Sequence, residues 1–183
     1  MQREEALSLV KEQVKNKNLI KHMLAVEAVM ARLAEYLEED KELWGMTGLL
    51  HDLDYDKTAD DPMQHGLLGA EMLNERGFPL EMVQAVKAHN EALAVERNSL
   101  MDKALYAADP VTGLLVAAAL IHPEKKLSAI DVGFVLKRFK EKSFARGAGR
   151  EQIQSCSELG LNLEQFLGLS LEAMQNSSKE LGL

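Results

Sequence analysis

The stretch 19–37, LIKHMLAVEAVMARLAEYL, decides the fold class. Leu19, Met23, Val26, Met30, Leu33 and Leu37 recur there at intervals of four, three, four, three and four. That spacing puts six apolar side chains on one stripe of an α-helix, whereas a strand would alternate with a period of two. Helical spacing continues in both directions. It predicts further helices over 3–14, 41–50, 63–76, 79–88, 99–108, 112–120, 131–140, 150–159 and 163–179, while alternating patterns and runs of β-branched residues are missing. The expected fold class is all-α.

Turn chemistry separates these segments. Pro62 and Pro79 suit first-turn positions, where a missing amide costs nothing, and Gly77 suits a left-handed helix end. Pro110 and Pro123 are expected to end helices, and Gly147-Ala148-Gly149 to form a loop within one domain spanning 1–183. With 183 residues, 46% of them hydrophobic, the chain has the size and apolar content of a single domain with a substantial core.

Met1-Gln2-Arg3-Glu4-Glu5 opens without an apolar stretch. The longest apolar run, Val111 to Ile121, falls short of the roughly 20 residues a bilayer requires. The expectation is a soluble cytoplasmic protein with no membrane partner. The single cysteine, Cys156, excludes an intrachain disulfide framework and a thiolate zinc site, so any metal must be held by nitrogen and oxygen. Cys156 and the nine methionines read as core filling.

The net charge of -8 argues against long nucleic acids as partners. It is unevenly spread. Between Lys125 and Arg150 eight basic residues face only Asp131 and Glu141, a net of +6, which leaves -14 for the remainder. Such a segment suits either a small anionic ligand or a solvated helix face.

Four of the five histidines fall where helical geometry points them inward. His22 flanks the 19–37 stripe, His65 shares a face with Leu68 and Met72, and His89 follows Met82 and Val86 at intervals of four and three. Asp109 stands four residues after Leu105, and a carboxylate on an apolar face is costly unless paired or metal-bound. His51-Asp52 closes the apolar helix Leu43–Leu50, where the chain turns acidic. Each histidine alone reads as a hydrogen-bonded core imidazole. As a set, His22, His51-Asp52, His65, His89 and Asp109 place borderline and hard donors on five segments, which suits Fe, Mn, Co, Ni or Zn. His122, beside Pro123, reads as a surface or capping residue.

Leu49-Leu50-His51-Asp52-Leu53-Asp54, His65-Gly66-Leu67-Leu68-Gly69-Ala70-Glu71, Val86-Lys87-Ala88-His89 and Tyr106-Ala107-Ala108-Asp109 together resemble the HD superfamily of metal-dependent phosphohydrolases, in its His-Asp-Ile-Gly branch with two metals. The resemblance implies a helical HD core over approximately 18–120 with a C-terminal helical extension over 121–183. It implies one or two divalent transition-metal ions: His22, His51, Asp52 and Asp109 would hold the first, with Asp52 bridging to a second on His65 and His89. It also implies hydrolysis of a phosphate ester in a nucleotide or similar small metabolite, with Asp52 as a catalytic residue.

The chain departs from the family pattern in three places. Asp54 replaces the signature glycine, the usual lysine is displaced to Lys57, and the Gly-Tyr-Pro element of cyclic-dinucleotide phosphodiesterases is missing after His89-Asn90. Asp54 and Asp56 are candidates for a general acid or base. Lys57, Arg138, Lys142 and Arg146 are candidates for holding a substrate phosphate. Two other functions fit the same ligands: oxidation of a small alcohol by a di-iron centre, and a metal-bound regulatory or binding module without turnover. Homo-oligomers are compatible with all three.

Overall fold

The computed structural model describes residues 1–141 and 143–183, so Lys142 lies outside the described residues. The chain forms α1 (Arg3–Gln13), α2 (Lys17–Leu37), α3 (Lys41–Leu50), α4 (Tyr55–Thr58), α5 (Leu67–Glu75), α6 (Leu80–Ala88), α7 (Leu100–Ile121), α8 (Val132–Lys140), α9 (Arg150–Gln154), α10 (Leu163–Asn176) and α11 (Ser178–Leu181), joined by short 3-10 turns. No strand occurs among the described residues, and the fold is all-α.

Helix α2 carries the stripe that opened the sequence analysis. It begins at Asn16, whose side chain accepts from the amides of Asn18 and Leu19, and ends where Glu38 turns left-handed at φ 60°. Asp40 caps α3 in the same way, accepting from Glu42 and Leu43. The connection is short, so α2 and α3 pair as an antiparallel hairpin.

What lets them approach is Gly48. A Cβ there would lie 2.7 Å from the carbonyl oxygen of Val26 and 2.9 Å from the amide nitrogen of Glu27, inside the backbone of α2. The helices run in opposite directions. One turn back along α2 from Val26 is therefore level with about one turn forward along α3 from Gly48, which brings His22 beside His51 with ring centroids 5.2 Å apart.

The spacing splits 99–120 into two helices at Pro110, but the structure has one continuous helix, α7, with Pro110 inside it. An internal proline removes a rung of hydrogen bonding and costs about 3 kcal/mol. Burial outweighs that cost: Ala104, Leu105, Ala107, Ala108, Val111, Leu114 and Leu115 are fully buried on both sides of it. Unbroken, α7 is long and apolar enough to cross a membrane by length and composition, yet 67% of its apolar window is buried inside the protein, as in a core helix.

Beyond α7, helices α8 to α11 pack back onto α2 and α7, and Phe166, Leu167 and Met174 join the same hydrophobic core as Met23, Met30 and Leu114. Arg150 organises the loop before α9. Its guanidinium donates to the carbonyls of Phe139 (2.9 Å), Phe144 (2.6 Å), Ala145 (3.2 Å) and Ala148 (2.6 Å). This arginine of the basic segment is thus spent on the backbone. At the other end of the chain, Arg3 bridges Glu27 of α2 (2.9 Å) and Glu180 of α11 (3.1 Å).

Candidate metal centre

Six polar side chains from five segments meet where α2, α3 and α7 converge. Asp52 is the hub. Its Oδ1 lies 3.4 Å from His51 Nε2 and 3.5 Å from both His65 Nε2 and His89 Nε2, and its Oδ2 lies 3.6 Å from His22 Nε2. Asp109, on α7, places Oδ1 3.1 Å from His22 Nε2 and 4.0 Å from His51 Nε2. His65 and His89 oppose each other with their Nε2 atoms 3.1 Å apart.

Each histidine is oriented by an acceptor on its far nitrogen. His51 and His89 cap the C-termini of α3 and α6, and each directs Nδ1 at the carbonyl three residues back, Gly48 (2.8 Å) and Val86 (2.6 Å). His22 Nδ1 meets Thr112 Oγ1 at 3.0 Å; because that hydroxyl donates to the Asp109 carbonyl, its oxygen accepts from the imidazole. His65 Nδ1 meets Asp54 Oδ1 at 3.0 Å. With all four Nδ1 atoms engaged as donors, each ring turns Nε2 toward the centre, as a lone pair on neutral His51 and as a proton donor to Asp52 on charged His89.

The fit to a metal ion can be tested on His51. It is fully buried, its Nε2 has no hydrogen-bond partner among the described residues, and burial holds its pKa down at about 4 despite the pull of Asp52. A neutral imidazole with an orphaned buried acceptor costs about 1–3 kcal/mol, and a cation among these carboxylates removes that cost. His22, His51 and Asp109 form one group of donors close enough to share an ion, and His51, Asp52 and His89 another. The cluster is therefore able to hold a divalent metal.

The remaining ionisations follow from the same geometry. Burial opposes charge on His89, but its hydrogen bond to Asp52 and the charges of Asp52 and Asp109 raise its pKa to about 9. His22 is raised as well, its hydrogen bond and charge interaction with Asp109 overcoming burial. Burial likewise works against both carboxylates, yet the surrounding imidazoles hold Asp52 and Asp109 below the usual range.

The metal-free protein therefore carries a proton on His89 at neutral pH, and a metal must displace it. The apparent affinity for Zn²⁺ or Mn²⁺ is expected to rise about tenfold per pH unit from pH 7 and to flatten above about 9. The stabilisation that the His89 proton gives the metal-free fold has the opposite sign: complete below about 6.5, it is lost as pH rises through about 9. Calorimetry of metal binding in buffers of different ionisation enthalpy measures the protons released. An affinity independent of pH between 7 and 9 would refute the assignment.

The other candidates lie elsewhere. Asp54 is not placed to act as an acid or base: it is fully buried and accepts from His65 Nδ1, the Gly66 amide (2.8 Å) and the Gly69 amide (2.7 Å), so it reaches no substrate. Asp56 instead accepts from the Lys15 amide at 2.6 Å, and Lys57 donates to Gln13 Oε1 at 2.9 Å, which ties both to the α1–α2 junction. Arg138 pairs with Glu141 at 2.9 Å, and Arg146 is exposed. His122 stacks edge-on against Phe134 and accepts from the Glu124 amide, a capping role.

His65 precedes α5 instead of lying on its face. Gly66, at φ 82°, turns the chain into the helix immediately after it. Thr112 went unrecognised in the sequence, although it stands three residues after Asp109 and would share its face once Pro110 is allowed inside a helix. Tyr55, whose ring meets His65 edge-on at 5.2 Å, gave no signal at all.

Comparison with known proteins agrees with this arrangement. Residues 19–119 match the model of the HD domain family. An uncharacterized protein of Methanocaldococcus jannaschii is 27% identical over 150 residues, covering 78% of this chain and 86% of its own. Ribonuclease Y of Acidothermus cellulolyticus is 28% identical over 137 residues, and that of Desulfotalea psychrophila 27% over 139; each alignment covers 73% of this chain but only 28% and 26% of the ribonucleases. No solved structure matches.

Proposed function

The chain belongs to the HD domain family, and from that membership we propose that it is a metal-dependent hydrolase of a phosphate ester, with a nucleotide or another small phosphorylated metabolite as substrate. One observation carries the reading: four imidazoles, each oriented by an acceptor on Nδ1, turn Nε2 toward two carboxylates in a site that is buried on one side and open on the other. His51, Asp52 and His89 are buried, while the side chains of His65, His22 and Asp109 are 15, 24 and 30% exposed. Substrate therefore approaches over His22, His65 and Asp109.

A divalent metal ion bound there supplies Lewis acidity and lowers the pKa of a water molecule. His22, His51, Asp52 and Asp109 would hold one ion, and Asp52, His65 and His89 a second. The donors are nitrogen and oxygen only, which suits Fe, Mn, Co, Ni or Zn. His65→Ala combined with His89→Ala is expected to lower the stoichiometry from two ions to one, measured by elemental analysis. Unchanged stoichiometry would remove the second position.

A cavity of about 280 Å³ lies behind His89, lined by Ala88, Asn90, Glu91, Arg97 and Tyr106 but by none of the six donors. There the Arg97 guanidinium stacks on Tyr106 at 3.8 Å and pairs with Glu158 at 3.5 Å.

The names of the two ribonucleases Y favour phosphate esters over alcohol oxidation, and the net charge of -8 favours a small substrate over RNA. An anaerobic panel of nucleotides, phosphomonoesters and an RNA oligonucleotide with Mn²⁺, Co²⁺ or Fe²⁺ tests the proposal. Metal-dependent phosphate release supports it. Cleavage of RNA alone would keep the chemistry and change the substrate, and, in a parallel aerobic arm with small alcohols, turnover only with dioxygen would overturn both.

A further inference from the structure

We infer that Asp54 is a positioning residue that fixes the proton of His65 on Nδ1, and so determines whether His65 Nε2 is a metal donor. The inference rests on the proposal that His65 belongs to a second metal position. Three of the four cluster histidines take their orienting acceptor from a backbone carbonyl or a hydroxyl, at Gly48, Val86 and Thr112. His65 alone takes it from a carboxylate, and that carboxylate is fully buried.

The Asp54 carboxylate is held from two sides. Its Oδ2 accepts from the Gly66 and Gly69 amides at 2.8 and 2.7 Å, which leaves Oδ1 for His65 at 3.0 Å. The two glycines make this possible. Gly66 adopts φ 82°, and a Cβ on Gly69 would lie 3.2 Å from Asp54 Cγ and Oδ2, tight enough to push the carboxylate back by a few tenths of an ångström. An ionised carboxylate can only accept, so a neutral His65 must carry its proton on Nδ1 and leave the Nε2 lone pair facing Asp52 and His89.

Asp54→Asn separates this role from a general structural one, because the amide has only one stable orientation. Its oxygen must replace Oδ2, since the opposite flip would set an NH2 group against two buried backbone donors. The NH2 group then faces His65 Nδ1 and donates to it. That drives the His65 proton to Nε2, where it points at Asp52 Oδ1 and removes the lone pair. The backbone contacts survive, and with them the fold.

The test is ¹⁵N–¹H correlation of the imidazoles in the metal-free protein at about pH 9.5, past the His89 pKa of about 9, paired with elemental analysis after loading with Mn²⁺ or Zn²⁺. Wild type is expected to show His65 Nδ1 protonated. Asp54→Asn is expected to move the proton to Nε2, leave the His51 signals in place and reduce bound metal from two ions to one. A wild-type protein with the proton on Nε2, or a variant that keeps it on Nδ1, would overturn the inference. If the tautomer switches as expected while both proteins bind a single ion, Asp54 keeps its positioning role and the second metal position falls instead.

Discussion

Asp52→Ala is expected to lower metal-dependent phosphate release by about a thousandfold or more, and to leave the purified protein with little bound metal. Among the described residues, Asp52 is the one carboxylate within 3.6 Å of all four histidines. Its removal leaves four imidazoles facing Asp109 alone, which makes the site a poor host for a cation. Metal chemistry supplies several kcal/mol of transition-state stabilisation, and about 4 kcal/mol corresponds to about a thousandfold in rate. The variant has a second signature in the metal-free state. His89 owes its raised pKa of about 9 mainly to the hydrogen bond and charge of Asp52, opposed by burial, so with alanine its proton is lost at lower pH. Phosphate release, elemental analysis and NMR titration of His89 measure the three effects. Activity retained above a tenth of wild type would refute the role given to Asp52.

Gly48→Val is expected to destabilise the fold by about 3 kcal/mol or more, or to prevent folding altogether, although position 48 touches no substrate and holds no metal. Overpacking usually costs about 1–3 kcal/mol when neighbouring side chains can move aside. Here the obstacle is the Val26–Glu27 backbone in the middle of α2, 2.7 to 2.9 Å from any Cβ at 48, so the helices themselves must separate. Separation would also pull His51 and Asp52 away from His22, and metal affinity should fall with stability. Gly45→Ala is the control on the same helix. Its Cβ would meet the Ala31 Cβ at 3.5 Å and Glu27 atoms at 3.8 and 3.9 Å, all ordinary contacts, and alanine is favoured over glycine in a helix by up to about 1 kcal/mol. Urea unfolding of both variants decides the matter. A Gly48→Val protein within about 1 kcal/mol of wild type would show that the close crossing is not what holds the hairpin.

The sequence by itself determined the helical class, most helix boundaries and the six polar side chains that the structure brings together. The reason is that all three depend on local information: the period of apolar residues, the chemistry of helix caps, and a set of polar donors on otherwise apolar segments. It misread Pro110, because the cost of an internal proline is local whereas the burial of α7 that outweighs it comes from α2, α6, α8 and α10. It misread Asp54 for a related reason. Between Asp52 and Asp56 an acidic side chain looks solvated, and only the tertiary fold shows it buried beneath Gly66 and Gly69 with His65 as its partner. Asp56 and Lys57 follow Asp54 directly yet turn toward the α1–α2 junction, since one short helical turn directs neighbouring side chains apart. Which nitrogen of each histidine faces the centre was beyond any reading of the chain. That choice belongs to acceptors 3 to 90 residues away in sequence, and only packing brings them within hydrogen-bonding distance.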